Sequence, residues 1–181
     1  MKLKLFSRSK ITFSSLFVAI FLLSTCEKDE LDQPDLYVLF QYEYVNYAWG
    51  FSHNGWFIDN KGNIKGYKLP EIWKGCDSLD YIAYDSLICN YNQTDTVLGQ
   101  VDLETLFEKS AMIEKTLNGD LSEMDCHGAD MGRLSFYCYY WDSVKKKYKR
   151  QFLSEEGDCE QYNTTSEAID LTYYLKHIKD Y

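Results

Sequence analysis

The hydrophobic pattern of this chain changes its period three times, and the order of these changes limits the fold more than any other feature. Residues 36–69 and 133–153 carry runs of Val, Ile, Phe and Tyr that are typical of strands. Residues 79–118, and those after 164, repeat apolar side chains at helical spacing. Strands, helices, strands and a final helix, without regular alternation, predict an α+β domain: a largely antiparallel sheet with two or three helices packed on it.

Two turn signals divide the first strand region. Residues 36–47 are apolar on both alternating faces, which favours a central strand covered on two sides. Asn54-Gly55 lies between aromatic runs and predicts a hairpin turn, because both central positions of such a turn need positive φ. Residues 60–63 predict a second turn before a strand at 64–69, so the region reads as an antiparallel meander.

Three helices are expected, each with a start signal. Residues 79–90 follow Asp77 or Ser78 as a cap. A longer helix opens at Asp102 and closes at Asn118-Gly119. Its apolar stripe consists of Leu103, Leu106, Phe107, Ile113 and Leu117. The last helix starts at a capping box formed by Thr164 and Glu167. The face it buries consists of Ala168, Leu171, Leu175 and Ile178.

The amino-terminal residues have the layout of a secretory signal. The first ten residues carry four cations and no acid, and residues 11–23 are almost entirely apolar. At 1.5 Å per residue this run spans roughly 20 Å of helix, well short of the ~30 Å hydrocarbon core of a bilayer. A permanent transmembrane helix is therefore not expected here.

The end of this segment resembles a bacterial lipobox. Leu23-Ser24-Thr25-Cys26 places a Cys where that family carries its acylated first mature residue, with Thr25 in place of the usual smaller residue. Lys28, Asp29 and Glu30 then make residues 26–30 similar to the surface-export signal of Bacteroidetes lipoproteins. The resemblance implies a signal peptide at 1–25, an acylated tether at 26–35, a globular domain at 36–181 and a lipid-anchored location on the outer face of the outer membrane. A plain signal peptide with an incidental Cys stays open as the alternative.

Four Asp-Ser/Thr-apolar triplets resemble the acceptor for O-glycosylation in the same phylum. Their hydroxyl residues are Ser78, Ser86, Thr96 and Ser143. Because Asp-Ser pairs are also ordinary helix caps and turns, both interpretations remain.

Charge excludes one class of partner. Removal of the four leader cations leaves 15 basic and 28 acidic residues, a net charge of −13, and such a surface repels phosphate backbones. Nucleic-acid binding is therefore not expected. The exception is the basic run at 145–150, which indicates either a solvated hairpin that discourages edge pairing or a contact with an anionic group.

The spacing of the cysteines and histidines does not match a common redox, metal-binding or catalytic motif. If Cys26 is acylated, five cysteines remain and at most two bridges can form. Cys76 with Cys89 would be awkward across a helix, whereas pairings among Cys126, Cys138 and Cys159 are easier; buried reduced thiols are the alternative. Without a CxxC, a metal-binding His pair or a nucleophile elbow, we expect no cofactor and no metal.

One short segment contains the residue types of a cysteine-dependent catalytic site. Cys126, His127 and Asp130 collect a thiol, an imidazole and a carboxylate within five residues. Side chains adjacent in sequence point apart and working Cys–His pairs come from distant segments, so a turn entering the next strand is preferred and an enzyme is the least favoured hypothesis.

The aromatic residues are consistent with two roles, ligand or partner binding and packing of the core. Flat rings stack on sugars or anchor protein partners, and they also fill the core of a small sheet. A stacking platform would need two or more of the aromatic rings exposed and coplanar, and the candidate stacking residues are Trp49, Trp56, Trp73 and Trp141. The resulting hypothesis is a non-enzymatic binding or accessory lipoprotein for an outer-membrane protein partner or a small ligand, with glycan capture through exposed aromatics as the alternative.

Overall fold

A computed structural model describes residues 34–178 of the chain. The predicted signal peptide, Cys26, and the export signal at Lys28, Asp29 and Glu30 lie outside the described residues. No helix among those described is both long enough and apolar enough to span a bilayer.

Within residues 34–178, nine strands, three α-helices and one short 3₁₀ helix make up an α+β fold, which confirms the predicted class. The strands are Val38–Asn46 (β1), Ser52–Asp59 (β2), Asn63–Lys68 (β3), Tyr81–Ala83 (β4), Thr96–Gln100 (β5), Asp125–Cys126 (β6), Arg133–Asp142 (β7), Lys147–Gly157 (β8) and Cys159–Tyr162 (β9). The helices are Tyr84–Tyr91 (α1), Leu103–Ser110 (α2), the 3₁₀ helix Ile113–Asn118 and Ser166–Ile178 (α3).

The sheet is antiparallel throughout and is covered on both faces. Its order is β5-β3-β2-β1-β7-β8-β9-β6, with β4 paired to β8. β1 is central, as predicted, and lies between β2 and β7. Side chains from α2, the 3₁₀ helix and α3 fill one apolar cluster, and side chains from α1 and residues 73–76 contribute to a second. A charged side chain on β1 is therefore buried unless it lies near an end of the strand that is exposed to solvent.

The predicted hairpin turn at Asn54-Gly55 is wrong, because both residues lie inside β2. Gly55 pairs with Glu43 on one side and with Tyr67 on the other. A Cβ at Gly55 would lie 2.1 Å from the carbonyl oxygen of Tyr42 and 2.7 Å from the Tyr67 hydroxyl. Glycine is needed here for close approach between strands, and the chain reverses instead at residues 47–51, where Gly50 has φ +105°. The second turn, at 60–62, is confirmed.

The first helix is shorter than predicted because its expected start belongs to the sheet. Residues 81–83 pair with residues 147–149 of β8, so α1 begins only at Tyr84. Asp77 does not cap a helix; its Oδ1 accepts hydrogen bonds from the backbone N–H groups of Leu79 and Tyr81 in a turn.

The other two helices are confirmed in part. Asp102 caps α2 by accepting from the Thr105 N–H at 2.8 Å, but the predicted single helix ends at Ser110 and a separate 3₁₀ helix follows. Leu103 and Phe107 of its stripe are exposed. The four predicted inward residues of α3 are all buried, but the cap is Thr165, whose hydroxyl accepts from the Ala168 N–H, so the capping box from Thr164 is one residue out of register.

The basic run at 145–150 is matched by acids. Lys147 and Lys149 form ion pairs with Asp77 and Asp80 of the turn before β4, and Lys145 pairs with Asp142. Pairing of β4 with β8 brings these charges together. Ion pairs within the domain therefore compensate much of the positive charge of residues 145–150.

Candidate functional site

Three large aromatic side chains lie exposed on the loop between β1 and β2, residues 47–51, which we call the aromatic loop. Trp49 is 86 % exposed, and Tyr47 and Phe51 are exposed with it. The Tyr47 and Phe51 rings pack with their centroids 5.2 Å apart. Exposed rings in such number on five consecutive residues mark a contact surface more often than a solvated loop.

The base of the aromatic loop is held by Asn46, the last residue of β1, which is 8 % exposed. Its Oδ1 accepts from the Ala48 N–H at 2.7 Å. Its Nδ2 donates to the Tyr44 hydroxyl at 2.9 Å and to the Asp130 carbonyl at 3.2 Å. The Tyr44 hydroxyl donates in turn to the Met131 carbonyl. One amide side chain thus ties the loop to a turn that lies 84 residues away in sequence.

That turn, at residues 130–132, is itself tightly constrained. Asp130 and Gly132 both have positive φ, +66° and +80°. A Cβ at Gly132 would lie 2.7 Å from the Val45 carbonyl oxygen, so only glycine fits against β1. Asp158 accepts from the Met131 N–H at 2.8 Å through its carboxylate and donates its own N–H to Gly132. The loop therefore stands on a preorganised base.

A groove of about 600 Å³ runs beside the aromatic loop, and we call it the loop groove. Its lining residues are Val45, Asn46, Tyr47, Ala48, Asp130, Gly132, Arg133, Glu155, Asp158 and Cys159. Three of these carry carboxylates and one is basic, with Arg133 Nε 3.7 Å from Glu155. The surface next to the exposed rings is therefore predominantly acidic.

Ring contacts connect the loop to the buried pair Glu43–His53. Phe51 packs against His53 at 6.2 Å between centroids, and Trp73 covers His53 edge-on at 4.6 Å. His53 Nε2 lies 2.9 Å from Glu43 Oε1, and both residues are buried. The imidazole is thus enclosed by Trp73 and Glu43, which makes it a supporting group rather than one that a substrate can reach.

Gln41 extends this pair into a network across four strands, β1, β2, β3 and β7. Its Nε2 donates to Glu43 Oε1 at 3.5 Å and to the Tyr67 hydroxyl at 3.1 Å, and its Oε1 accepts from the Tyr139 hydroxyl at 2.5 Å. Burial, and then the charge of Glu43, raise the pKa of Tyr67. The phenol stays protonated and donates to the Tyr42 carbonyl. Buried networks with their partners in place hold a unique geometry.

The predicted Cys126–His127–Asp130 constellation is not assembled. Cys126 is joined to Cys159 in a disulfide that links β6 to β9, so its sulfur is not available as a thiolate nucleophile. His127 lies at the surface, with a ring nitrogen 3.5 Å from Glu160 Oε1. Asp130 serves the turn through its backbone carbonyl. The turn interpretation is the one that fits the geometry.

Three further cysteines among residues 34–178 are unbridged. Cys138 is buried, and burial raises the pKa of its thiol to about 12, while Cys76 and Cys89 are partly buried and free. Across residues 34–178 no group of three or more His, Cys, Asp or Glu is placed to hold a metal ion.

The four tryptophans do not share one surface. Trp49 is exposed and Trp56 is 2 % exposed in the core. Trp73 packs with Phe57, and the Trp141 ring lies 5.0 Å from that of Tyr148. In this arrangement the four do not present a stack of coplanar exposed rings.

The hydroxyl residues of the four triplets lie at or near the surface. Ser78, Thr96 and Ser143 are exposed, and Ser86 is partly buried on α1. Whether they carry glycans stays a prediction.

Sequence reasoning missed the two polar residues that organise this end of the sheet. Asn46 and Glu43 both lie in a segment interpreted as apolar on two faces. The available signal was a charged residue within an aromatic strand, since such a residue is rarely buried without a partner.

No protein-family model, no curated protein and no solved structure matches this chain.

Proposed function

We propose that this protein is a non-enzymatic binding lipoprotein of the outer membrane that captures a protein partner with the aromatic loop. The basic, then apolar, leader at 1–25, the Cys26 that follows it and the Lys28-Asp29-Glu30 segment support an acylated, outward-facing chain. The observation that carries the binding role is the exposure of Tyr47, Trp49 and Phe51 on one loop.

The aromatic composition and the fixed base of the loop suit an anchor at a protein interface. Trp and Tyr are the residues that most often dominate binding energy at protein interfaces. Asn46 and the 130–132 turn hold the loop base before any partner arrives, which lowers the entropy lost on binding. The acidic loop groove favours a partner that offers basic groups around an apolar pocket.

The position of the loop also suits a tethered module. The tether would enter the domain just before Val38, and the aromatic loop follows Asn46 at the other end of β1. Eight strand steps separate these two points by roughly 27 Å. The aromatic loop thus lies at the end of β1 opposite Val38, where the strand begins.

The proposal is tested by pull-down of the full chain from membranes in mild detergent. Wild type should recover one protein partner, and Trp49→Ala should reduce its recovery more than tenfold, as loss of a central aromatic anchor does. Phe107→Ala is the matched control, because Phe107 is a comparably exposed ring on α2. Equal recovery by Trp49→Ala and wild type, or no partner with wild type, would contradict the proposal.

The anchor is tested separately. Mass spectrometry of the mature amino terminus should show an acylated Cys26, and Cys26→Ala should release the chain from the membrane. An unmodified Cys26 in a longer precursor would remove the lipoprotein assignment and leave the loop experiment to stand by itself.

A further inference from the structure

A second groove, of about 450 Å³, lies between α3 and the β8–β9 ladder, and we call it the helix groove. Its lining residues are Ser154, Glu155, Glu156, Glu160, Gln161, Tyr162, Asn163, Ile169, Thr172, Tyr173 and Lys176. They include none of the residues of the aromatic loop. A volume of this size is within the range of small-molecule sites.

Two hydroxyl groups in this groove lack partners. Ser154 is 5 % exposed, and its Oγ makes no hydrogen bond in the described part of the chain. The Thr172 Oγ1 is likewise buried without a partner. Buried hydroxyls are almost always hydrogen-bonded, because an unmade bond is costly. Both oxygens are shielded from solvent as placed, and two such residues lining one groove indicate a ligand that forms hydrogen bonds with them after rotation about χ1.

The local structure explains how Ser154 comes to line this groove. A β-bulge opposite Phe136 and Tyr137 breaks the alternation of β8, so Ser154 pairs with Phe136 while Phe152 pairs with Tyr137. Leu153 and Phe136 belong to the apolar cluster that α3 covers. Ser154 therefore faces α3, and one rotation about χ1 re-aims its Oγ among the staggered positions.

The walls of the groove combine rings with charges that are already paired. Tyr162 and Tyr173 are exposed large rings, one on β9 and one on α3. Lys176 forms an ion pair with Glu156. Glu155 lies near Arg133, and Glu160 lies near His127. The one lysine of the walls is already paired with Glu156, so the groove offers no free cation to an anionic ligand.

We propose that the helix groove binds a neutral polyhydroxylated ligand, a sugar ring. Sugar hydroxyls both donate and accept, so they match Ser154 and Thr172, whose hydroxyls do the same. The apolar C–H face of a sugar packs on tyrosine rings such as Tyr162 and Tyr173. An apolar ligand would leave both hydroxyls unpaired, and an anion would meet the carboxylates of the walls.

The test is calorimetric titration of the full chain with a panel of neutral mono- and disaccharides, each at about 10 mM, which exceeds the millimolar Kd of a weak contact. The detergent is an amine oxide, since maltoside head groups are themselves sugars. At least one sugar should bind saturably. Ser154→Ala and Thr172→Val should each weaken that binding about tenfold, the effect of a lost hydrogen bond.

The same variants separate a ligand-binding role from a structural one. Replacing an unpartnered buried hydroxyl by an apolar group should leave the melting temperature of the free protein unchanged or higher, whereas loss of a structural hydrogen bond would lower it. Ser52→Ala, on β2 and three strands away from β8, is the matched control. Absence of saturable binding across the panel, or equal affinity in wild type and both variants, overturns the proposal.

The outcome is independent of the proposed partner. Trp49→Ala should keep the sugar affinity of wild type, and Ser154→Ala should keep partner recovery. Loss of sugar binding in Trp49→Ala, with no loss in Ser154→Ala, would place the sugar on the aromatic loop and contradict this inference.

Discussion

The side-chain amide of Asn46 donates to the backbone carbonyl of Asp130 at 3.2 Å and thereby joins the aromatic loop to the turn before β7. The same side chain also accepts from the Ala48 N–H and donates to the Tyr44 hydroxyl. A single residue at the end of a central strand thus positions a loop that carries three exposed rings.

Asn46→Ala should therefore weaken partner capture without removing any ring of the loop. Loss of its three hydrogen bonds should lower the free energy of unfolding by about 1–3 kcal/mol, since the groups left behind are partly buried. Urea denaturation and pull-down measure the two effects. Asn92→Ala, an exposed position after α1, is the control. A variant as stable as wild type with full partner recovery would show that the loop does not depend on Asn46.

The Cys126–Cys159 disulfide should contribute substantially to stability. The two residues are 33 apart in sequence, and closing a loop of that length in the unfolded chain corresponds to about 3–4 kcal/mol in the chain-entropy description. The double variant Cys126→Ala/Cys159→Ala should lose this amount in urea denaturation, and a reducing agent should lower wild type to the same level. Cys89→Ala, an unbridged thiol, is the reference. An unchanged unfolding midpoint after reduction would count against the bridge.

The buried pair Glu43–His53 should behave as a coupled unit. Removing either partner leaves the other buried without its hydrogen bond at 2.9 Å, so Glu43→Ala and His53→Ala should each destabilise the fold by about 1–3 kcal/mol. The double variant should lose less than the sum, by more than about 1 kcal/mol. A double-mutant cycle of unfolding free energies measures this coupling, and simple additivity would argue that the two side chains act separately.

Alkaline pH should destabilise the protein through its buried tyrosines. Burial raises the pKa of Tyr67, Tyr139 and Tyr148, and that of Tyr174 to about 12. The folded state therefore keeps these protons above pH ~10, where the unfolded chain releases them. The associated stability is fully present below that pH and is lost as pH rises toward the folded-state pKa. The free energy of unfolding should fall as pH rises from about 10 toward 12.

Tyr148→Phe provides the matched test of this pH effect. The Tyr148 hydroxyl is buried without a hydrogen-bond partner, so its removal should cost little at pH 8. At pH 11 the variant should lose about 1 kcal/mol less stability than wild type, the linkage contribution of one tyrosine. Equal losses in both proteins would mean that Tyr148 ionises alike in the folded and unfolded states.

Elements with a strong local pattern could be predicted from the sequence. The buried face of α3 and the hydrophobic strands β7 and β8 agree with the structure because each is specified by apolar spacing within one segment. The cap at Asp102 is equally local, since its carboxylate bonds a backbone group three residues ahead. The α+β class followed from the order of these elements.

The secondary structure of segments that pair with other strands could not be predicted where local composition favoured a turn or a helix. Asn54-Gly55 has the composition of a turn, yet its neighbours Glu43 and Tyr67 are contributed by β1 and β3. Residues 81–83 follow a helical pattern but pair with β8, which lies more than sixty residues later. In both cases a long-range backbone ladder outweighs a local preference worth about 1 kcal/mol or less.

The amino-acid sequence by itself determined the strands β1, β3, β7 and β8, the face that α3 buries, and the central position of β1, because these properties follow from hydrophobic spacing along short stretches of chain. Only the tertiary structure decided that Cys126 pairs with Cys159, that Glu43 meets His53 inside the sheet, and that Ser154 faces α3 without a partner. Each of these depends on the register between paired strands, which hydrophobic spacing within one segment does not fix. A shift of one residue would turn every side chain of a strand to the opposite face.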